Sequence, residues 1–136
     1  MICPKVPKPS KADEADAYEL ATLRDRDTCQ RCRAGCGPSN RDHRKNRSQG
    51  GQTTTANLQI LGGTGTLGCH GWATSHPAEA IAEGWAVPGW AVPAEWPARR
   101  WVSGVLSWVL LDDVGGWVVI TEAESARRRS GDGVIY

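Results

Sequence analysis

The chain has 136 residues and a formal net charge of +1, which fits one domain and excludes a protein that is basic throughout. A chain of this length buries a modest core, so a metal staple would help hold it together. No stretch approaches the ~18 unbroken apolar residues of a membrane span, and "MICPKVPKPSKADEADAY" has no long apolar segment of the kind a secretory signal needs.

Residues 1–11 are rich in proline, lysine and serine and read as a flexible arm. "KADEADAYELATLRDR" spaces Ala, Tyr and Leu helically, with acids early and arginines late, which suits a short amphipathic helix and its dipole. "CQRCRAGCGPSN" is a knuckle, because Gly35, Gly37 and Pro38 interrupt regular structure. "NLQILGG" reads as a short strand, and "GCHGWATS" as one or two helical turns ahead of Pro77. Ser75 is placed to cap a second short helix, "PAEAIAE", with Pro77 in its first turn and Gly84 as its stop. "SWVLLDDVGGWVVI" reads as a hairpin, about 105–121, folded at its Asp-Asp-Val-Gly-Gly turn. The seven tryptophans, all at or after Trp72, are expected to form core in a chain without phenylalanine. Residues 123–136, with Arg127, Arg128 and Arg129, read as a solvated tail.

Charge is unevenly placed. Between Arg24 and Arg47 there are eight Lys or Arg and only three acids, Asp25, Asp27 and Asp42. That excess has the character of a surface for a phosphate backbone. The run includes "RDHRKNRSQGG", where an acid–imidazole pair, Asp42 and His43, heads a cationic loop closed by two glycines. Such a pair handles protons or holds metal. Arg41, Arg44, Lys45 and Arg47 are the candidate phosphate contacts, and Ser48 to Gly51 let the loop pass close to a duplex.

In a reducing cytoplasm, clustered cysteines bind metal more often than they form disulfides. Cys29 and Cys32 form a C-x-x-C pair that can chelate one zinc. Cys69, beside His70, is the natural third ligand and Cys36, on the same knuckle, the natural fourth; Cys3 in the arm is a bystander. A zinc ribbon would need a second C-x-x-C, and a two-Cys, two-His finger would need histidines spaced unlike His43, His70 and His76. The H-x-E of a nucleobase deaminase is absent.

The order of these motifs — C-x-x-C, Asp-His, a basic Ser-x-Gly-Gly loop, Asn-Leu, then Gly-Cys-His — resembles the HNH endonucleases. More narrowly, "NLQILGGTGTLGCHGW" is similar to the "NL..LCG.GTTGCHGW" segment of zinc-stapled HNH proteins from actinobacteria and their phages. The resemblance covers roughly residues 24–113. It implies an α+β fold in which a small ββα-metal unit is joined by a zinc knuckle and a C-terminal β-hairpin. The nuclease domain would span 12–122, with its core about 24–84. It also implies that His43 is the general base, that Asp42 and His70 hold a divalent ion (Mg, Mn, Ni or Zn), and that Asn57 braces the loop. Cys29, Cys32, Cys36 and Cys69 would hold structural zinc. One departure is Gly62, where the family usually has a cysteine; Cys36 is expected to replace it. His76 is read as a surface or helix-capping histidine.

The expected activity is hydrolysis of DNA phosphodiester bonds, by nicking or double-strand cutting, in the cytoplasm of the cell or of a phage host. The resemblance adds a setting in phage DNA packaging or processing, with terminase or other packaging proteins as partners, and no membrane. The main rival is a non-catalytic, zinc-stabilised nucleic-acid-binding module. A third reading is an RNA-cutting toxin of the same fold.

Overall fold

The structure, a computed structural model, describes residues 7–131. Cys3, with the first six residues of the expected arm and the last five of the expected tail, lies outside the described residues. The fold is mixed α+β, with a two-stranded and a three-stranded antiparallel sheet. Among the described residues no helix is long and apolar enough to cross a membrane.

Helix α1, Lys11–Arg24, begins where its sequence provides a capping box. The Ser10 hydroxyl accepts from the Asp13 amide at 3.1 Å, and the Ser10 amide donates to the Asp13 carboxylate at 3.4 Å. Its buried residues are Ala17 and Ala21, whose small side chains bring the helix against Leu58. The chain then turns through Arg26 and Asp27, both in the left-handed region at φ 54° and 49°.

Strands β1, Ser39–His43, and β2, Leu58–Gly62, pair antiparallel, with Asp42 opposite Gln59 and His43 opposite Leu58. Every residue of β2 is buried, because α1, β1 and α2 (Gly68–Ser75) all contact it. These elements follow in the order strand, strand, helix. Helix α3, Pro77–Ala82, has Pro77 in its first turn and is followed by Gly84 at φ 87°, as expected. Its expected cap is corrected: Ser75 Oγ bonds back to the Gly71 and Trp72 carbonyls, and His76 occupies the N-cap position without a side-chain cap bond. The hydroxyl proton is spent on α2, and the oxygen lies 3.0 Å from His76 Nδ1.

The expected hairpin is present as β4, Val105–Leu111, and β5, Trp117–Ile120. Asp112 Oδ1 closes its turn by accepting from the Val114 and Gly116 amides. The hairpin is two-thirds of a sheet, since β3, Ala98–Val102, pairs with the other side of β4. Residues 123–130, read as tail, lie in helix α4, Glu122–Ser130. Thr121 caps the Glu124 amide at 3.0 Å, and the three arginines sit in the last turn, where the helix dipole favours cations. Arg129 lies over the Trp108 ring and Arg128 pairs with Glu124, so neither is a loose cation.

The apolar interior is divided into small clusters: one around Cys29, Leu61, Cys69 and Trp85, and others around Val109 and Leu111, Leu58, and Trp96. Trp85, Trp96 and Trp108 are core, as expected of the tryptophans. Trp90, Trp101 and Trp117 are not, being 67%, 37% and 38% exposed.

Candidate functional site

Two groups of chemically able side chains meet at α2. The first is the cysteine cluster. Cys29 and Cys32 leave the turn after α1, Cys36 lies further along the knuckle, and Cys69 is in the first turn of α2. Their sulfurs all lie within 4.8 Å of one another. Ligands at ~2.3 Å around a tetrahedral zinc stand roughly 3.8 Å apart, so small adjustments suffice. The cluster could hold a structural metal ion such as zinc.

The thiols are unequal. Burial pushes the Cys69 thiol up, helped by the neighbouring Cys29 and Cys36 against the bond from Arg31, to about 12. Burial also acts on Cys29, but the amides of Cys32, Gly62 and Arg31 outweigh it and bring that thiol down to about 7. Four crowded thiols cannot all ionise unaided, and a divalent ion would supply the missing charge. Arg31 Nη1 lies 3.5 Å from Cys69 Sγ while its guanidinium stacks 3.7 Å over the Trp72 ring. A cation held there suits a cluster of thiolates.

Gly62 shows how the knuckle is built. A Cβ at that position would lie 2.6 Å from Cys36 Sγ. The Cys36 sulfur therefore fills the space into which a side chain on residue 62 would project, as expected if Cys36 replaces a ligand from there.

The second group is centred on Asp42. His70, next to Cys69 on α2, brings Nε2 to 3.3 Å from Asp42 Oδ1, both side chains being about one-fifth exposed. Neighbours on a helix point ~100° apart, so Cys69 faces the sulfurs while His70 faces β1. The other carboxylate oxygen accepts from Gln59 Nε2 at 3.0 Å, and Gln59 is anchored to the Trp85 carbonyl. The His70 pKa is raised, mainly by its bond to Asp42.

His43 leaves β1 on the opposite face from Asp42, as successive strand residues do. It packs edge-on to the Tyr18 ring and shares a 2.9 Å bond between Nε2 and the Thr53 hydroxyl. Burial, then the nearby Arg47, lowers its pKa, so the ring is neutral at pH 7. Arg47 also donates to the Thr53 oxygen, and the direction of the Nε2–hydroxyl bond follows the tautomer of the ring. The structure thus joins Asp42 to His70 directly and leaves His43 at their flank, within reach of the Asp42 charge.

No family model, curated protein or solved structure matches the chain.

Asn57 is fully buried and braces the intervening loop. Its Oδ1 accepts from the Lys45 amide at 2.7 Å, and its Nδ2 donates to the Lys45 and Gln52 carbonyls at 3.1 and 2.8 Å. One side chain therefore ties both ends of the segment that follows His43.

The expected phosphate contacts divide. Arg44 is corrected: its guanidinium is buried and donates to the carbonyls of Ala56, Pro93 and Trp96. Burial, then repulsion from Arg100 and Arg24, pushes its pKa down to about 9. A side chain so enclosed meets no external phosphate. Lys45 is half-buried and reaches the Ala91 carbonyl at 3.1 Å. Arg41 and Arg47 are exposed, Arg41 lying over the Tyr18 ring and Arg47 bonding the Tyr18 hydroxyl. His76 is exposed and stacks on Trp72, and it is not one of the residues whose ligand atoms cluster with the sulfurs.

Sequence reasoning missed Gln59, Thr53, Arg31 and the buried pairing of Asp25 with Arg24 and Arg100. Gln59 had a usable signal, since it stands at an inward position of an otherwise apolar strand. The others depend on contacts between distant segments.

Proposed function

We propose that this protein is a metal-dependent endonuclease of the HNH type that hydrolyses DNA phosphodiester bonds, built on a zinc-stapled knuckle. The observation that carries the reading is the meeting of Asp42 and His70, from β1 and α2, 3.3 Å apart beside an Asn-braced loop. A binding module has no need of that pair. A carboxylate oxygen and an imidazole nitrogen, both partly open to solvent, are a donor set suited to a divalent ion with positions left for other oxygens, the ion displacing the proton that Nε2 shares with Asp42.

Bound there, a divalent ion would neutralise charge on the phosphate and on the leaving oxygen. The chain's own residues do the rest. Gln59 fixes the Asp42 carboxylate by occupying Oδ2. Asn57 holds the segment after His43, so the imidazole keeps its aim. His43 is neutral at pH 7; its Nε2 is taken up by the buried Thr53 hydroxyl, so Nδ1 is the nitrogen left to accept the proton of an attacking water. Arg41 and Arg47, exposed on the same side of β1 as His43, are the remaining candidates for the substrate backbone.

Supercoiled plasmid incubated with the zinc-loaded protein and Mg²⁺, Mn²⁺, Ni²⁺ or added Zn²⁺ should be nicked or linearised. His43→Ala should lose at least ~100-fold in rate, the usual scale of a general base, while binding DNA within a few-fold of the wild type. Equal cutting by His43→Ala and wild type would remove His43 from the chemistry. No cutting with any ion, but retained DNA binding, would leave the zinc-stabilised binding module as the correct reading.

A further inference from the structure

A cleft of about 660 Å³ lies between the knuckle and the three-stranded sheet, away from the Asp42–His70 pair. Its walls include Arg26 and Arg33 from the knuckle, Trp117 from β5, and Trp101 beside the β3–β4 turn. The volume is within the ~300–1,000 Å³ of ligand-binding clefts. Its charge is unbalanced. Asp25, the acid in its wall, is already held by Arg24 at 2.9 Å and Arg100 at 3.5 Å. Arg26 and Arg33 are exposed, and among the described residues neither has an ion pair.

The aromatic side is equally unspent. Trp117 extends from the face of the sheet that carries Arg100, yet 38% of it is exposed; Trp101, on the alternate face, meets the cleft at its rim and is 37% exposed. Large exposed indoles beside unpaired cations are what a stacked base with its phosphate requires. Backbone strain falls in the same place. Of the four described non-glycine residues at positive φ, three — Arg26, Arg33 and Ser103 — line this cleft, and the fourth, Asp27, adjoins it. Such conformations are strained and persist where the fold enforces them.

We propose that this cleft binds a single-stranded stretch of nucleic acid, with a base against Trp117 and phosphates at Arg26 and Arg33. The proposal rests on the reading that the partner is nucleic acid, and adds a second binding surface that prefers unpaired strand. Cys32 also lines the cleft, so the metal-held knuckle sets its shape.

The test is anisotropy of a short labelled oligothymidylate titrated with the full-length, zinc-loaded chain. Arg26→Ala with Arg33→Ala should lower the salt slope by about 0.7 for each phosphate that is no longer neutralised. Trp117→Leu, which keeps an apolar side chain and removes the stacking surface, should weaken binding roughly ten-fold or more; Trp117→Phe should recover most of it. Melting curves confirm that the variants fold. Plasmid nicking is run in parallel. Groove-dependent oligothymidylate binding supports the cleft even if no cutting is found. Intact cutting, with oligothymidylate bound equally by wild type and variants or not bound at all, overturns the cleft alone. Equal affinity for poly-glutamate also overturns it, because charge without stacking would then account for binding.

Discussion

The sharpest test of the knuckle exchanges the positions of one thiolate. Cys36→Ser removes one of four sulfurs that lie within 4.8 Å of one another. Apparent zinc-binding free energies of zinc-finger peptides are ~10–16 kcal/mol, so one ligand in four is worth about 2.5–4 kcal/mol. At ~1.4 kcal/mol per factor of ten, zinc affinity should fall roughly 100- to 1,000-fold. The same loss should lower Tm by on the order of 10 °C, because the apolar clusters are small and bound metal stabilises only the folded state. The affinity is read by competition with a chromophoric chelator, and Tm by a melting curve.

The structure adds a rescue. A Cβ on residue 62 would stand 2.6 Å from the present Cys36 sulfur, only somewhat more than one carbon–sulfur bond. Gly62 is not among the glycines at positive φ, so its backbone accepts a side chain. Cys36→Ser combined with Gly62→Cys should therefore regain most of the lost affinity and melting temperature. Gly62→Ala in the otherwise native chain should weaken zinc, because its methyl group displaces Cys36. If Cys36→Ser competes for zinc as well as the wild type does, Cys36 is not a required ligand; a double variant that stays weak would show that the sulfur positions are not interchangeable.

Asn57→Ala should cost several kcal/mol, since it strips partners from the Lys45 amide and two carbonyls at ~1–3 kcal/mol for each group left buried and unpaired; Asn57→Asp, which keeps the acceptor alone, should recover only part, as urea unfolding would measure. Arg44→Ala should lower Tm sharply by leaving three buried carbonyls without donors, and an unchanged Tm with weaker DNA binding would place Arg44 on the surface after all. Burial alone would raise the Asp25 pKa, but Arg100, Arg24 and the Ile60 amide outweigh it and hold it below its ordinary value of 3.8. A depressed pKa stabilises the fold above that value and ceases to do so as pH falls through the folded pKa, so Asp25→Asn should lower Tm at pH 7 and flatten its decline below about pH 4; an identical acid profile would remove Asp25 from acid unfolding.

What could be read from the sequence was what local chemistry decides. Helix α1 announces itself through helically spaced Ala, Tyr and Leu, early acids and its Arg24 end, though its Ser10 cap falls within the stretch that reads as arm; the β4–β5 hairpin does so through its Asp-Asp-Val-Gly-Gly turn. The cysteine positions were legible because chelation imposes spacing. Strand β3 was not, because Arg99 and Arg100 interrupt its apolar pattern. Arg100 is tolerated there only by its pairing with Asp25, 75 residues earlier. Helix α4 was hidden by its charge: only Ser125 is buried, and its arginines are used on Trp108 and Glu124, partners that composition cannot reveal. Arg44 misled for the same reason. In a basic run every cation looks solvated, and only the closure of the Pro93–Trp96 segment over it makes it a structural donor.

The adjacency of Cys69 and His70 links staple and site. A zinc ligand and a metal-site ligand on unrelated loops could drift independently. Cys69 and His70, the candidates for these two roles, both project from α2, an eight-residue helix whose N-cap, Leu67, provides no side-chain bond. So short a helix has little stability of its own. It is held instead by packing on β2, and a metal on the sulfur cluster would pin its first turn. Gly71 allows the close approach on the other side, since a Cβ there would meet the Thr66 backbone at 2.4 Å. The direction of His70 toward Asp42 is therefore set where Cys69 is held. A metal-loaded knuckle would do more than compensate for a small core: it would fix the element that carries half of the Asp42–His70 pair.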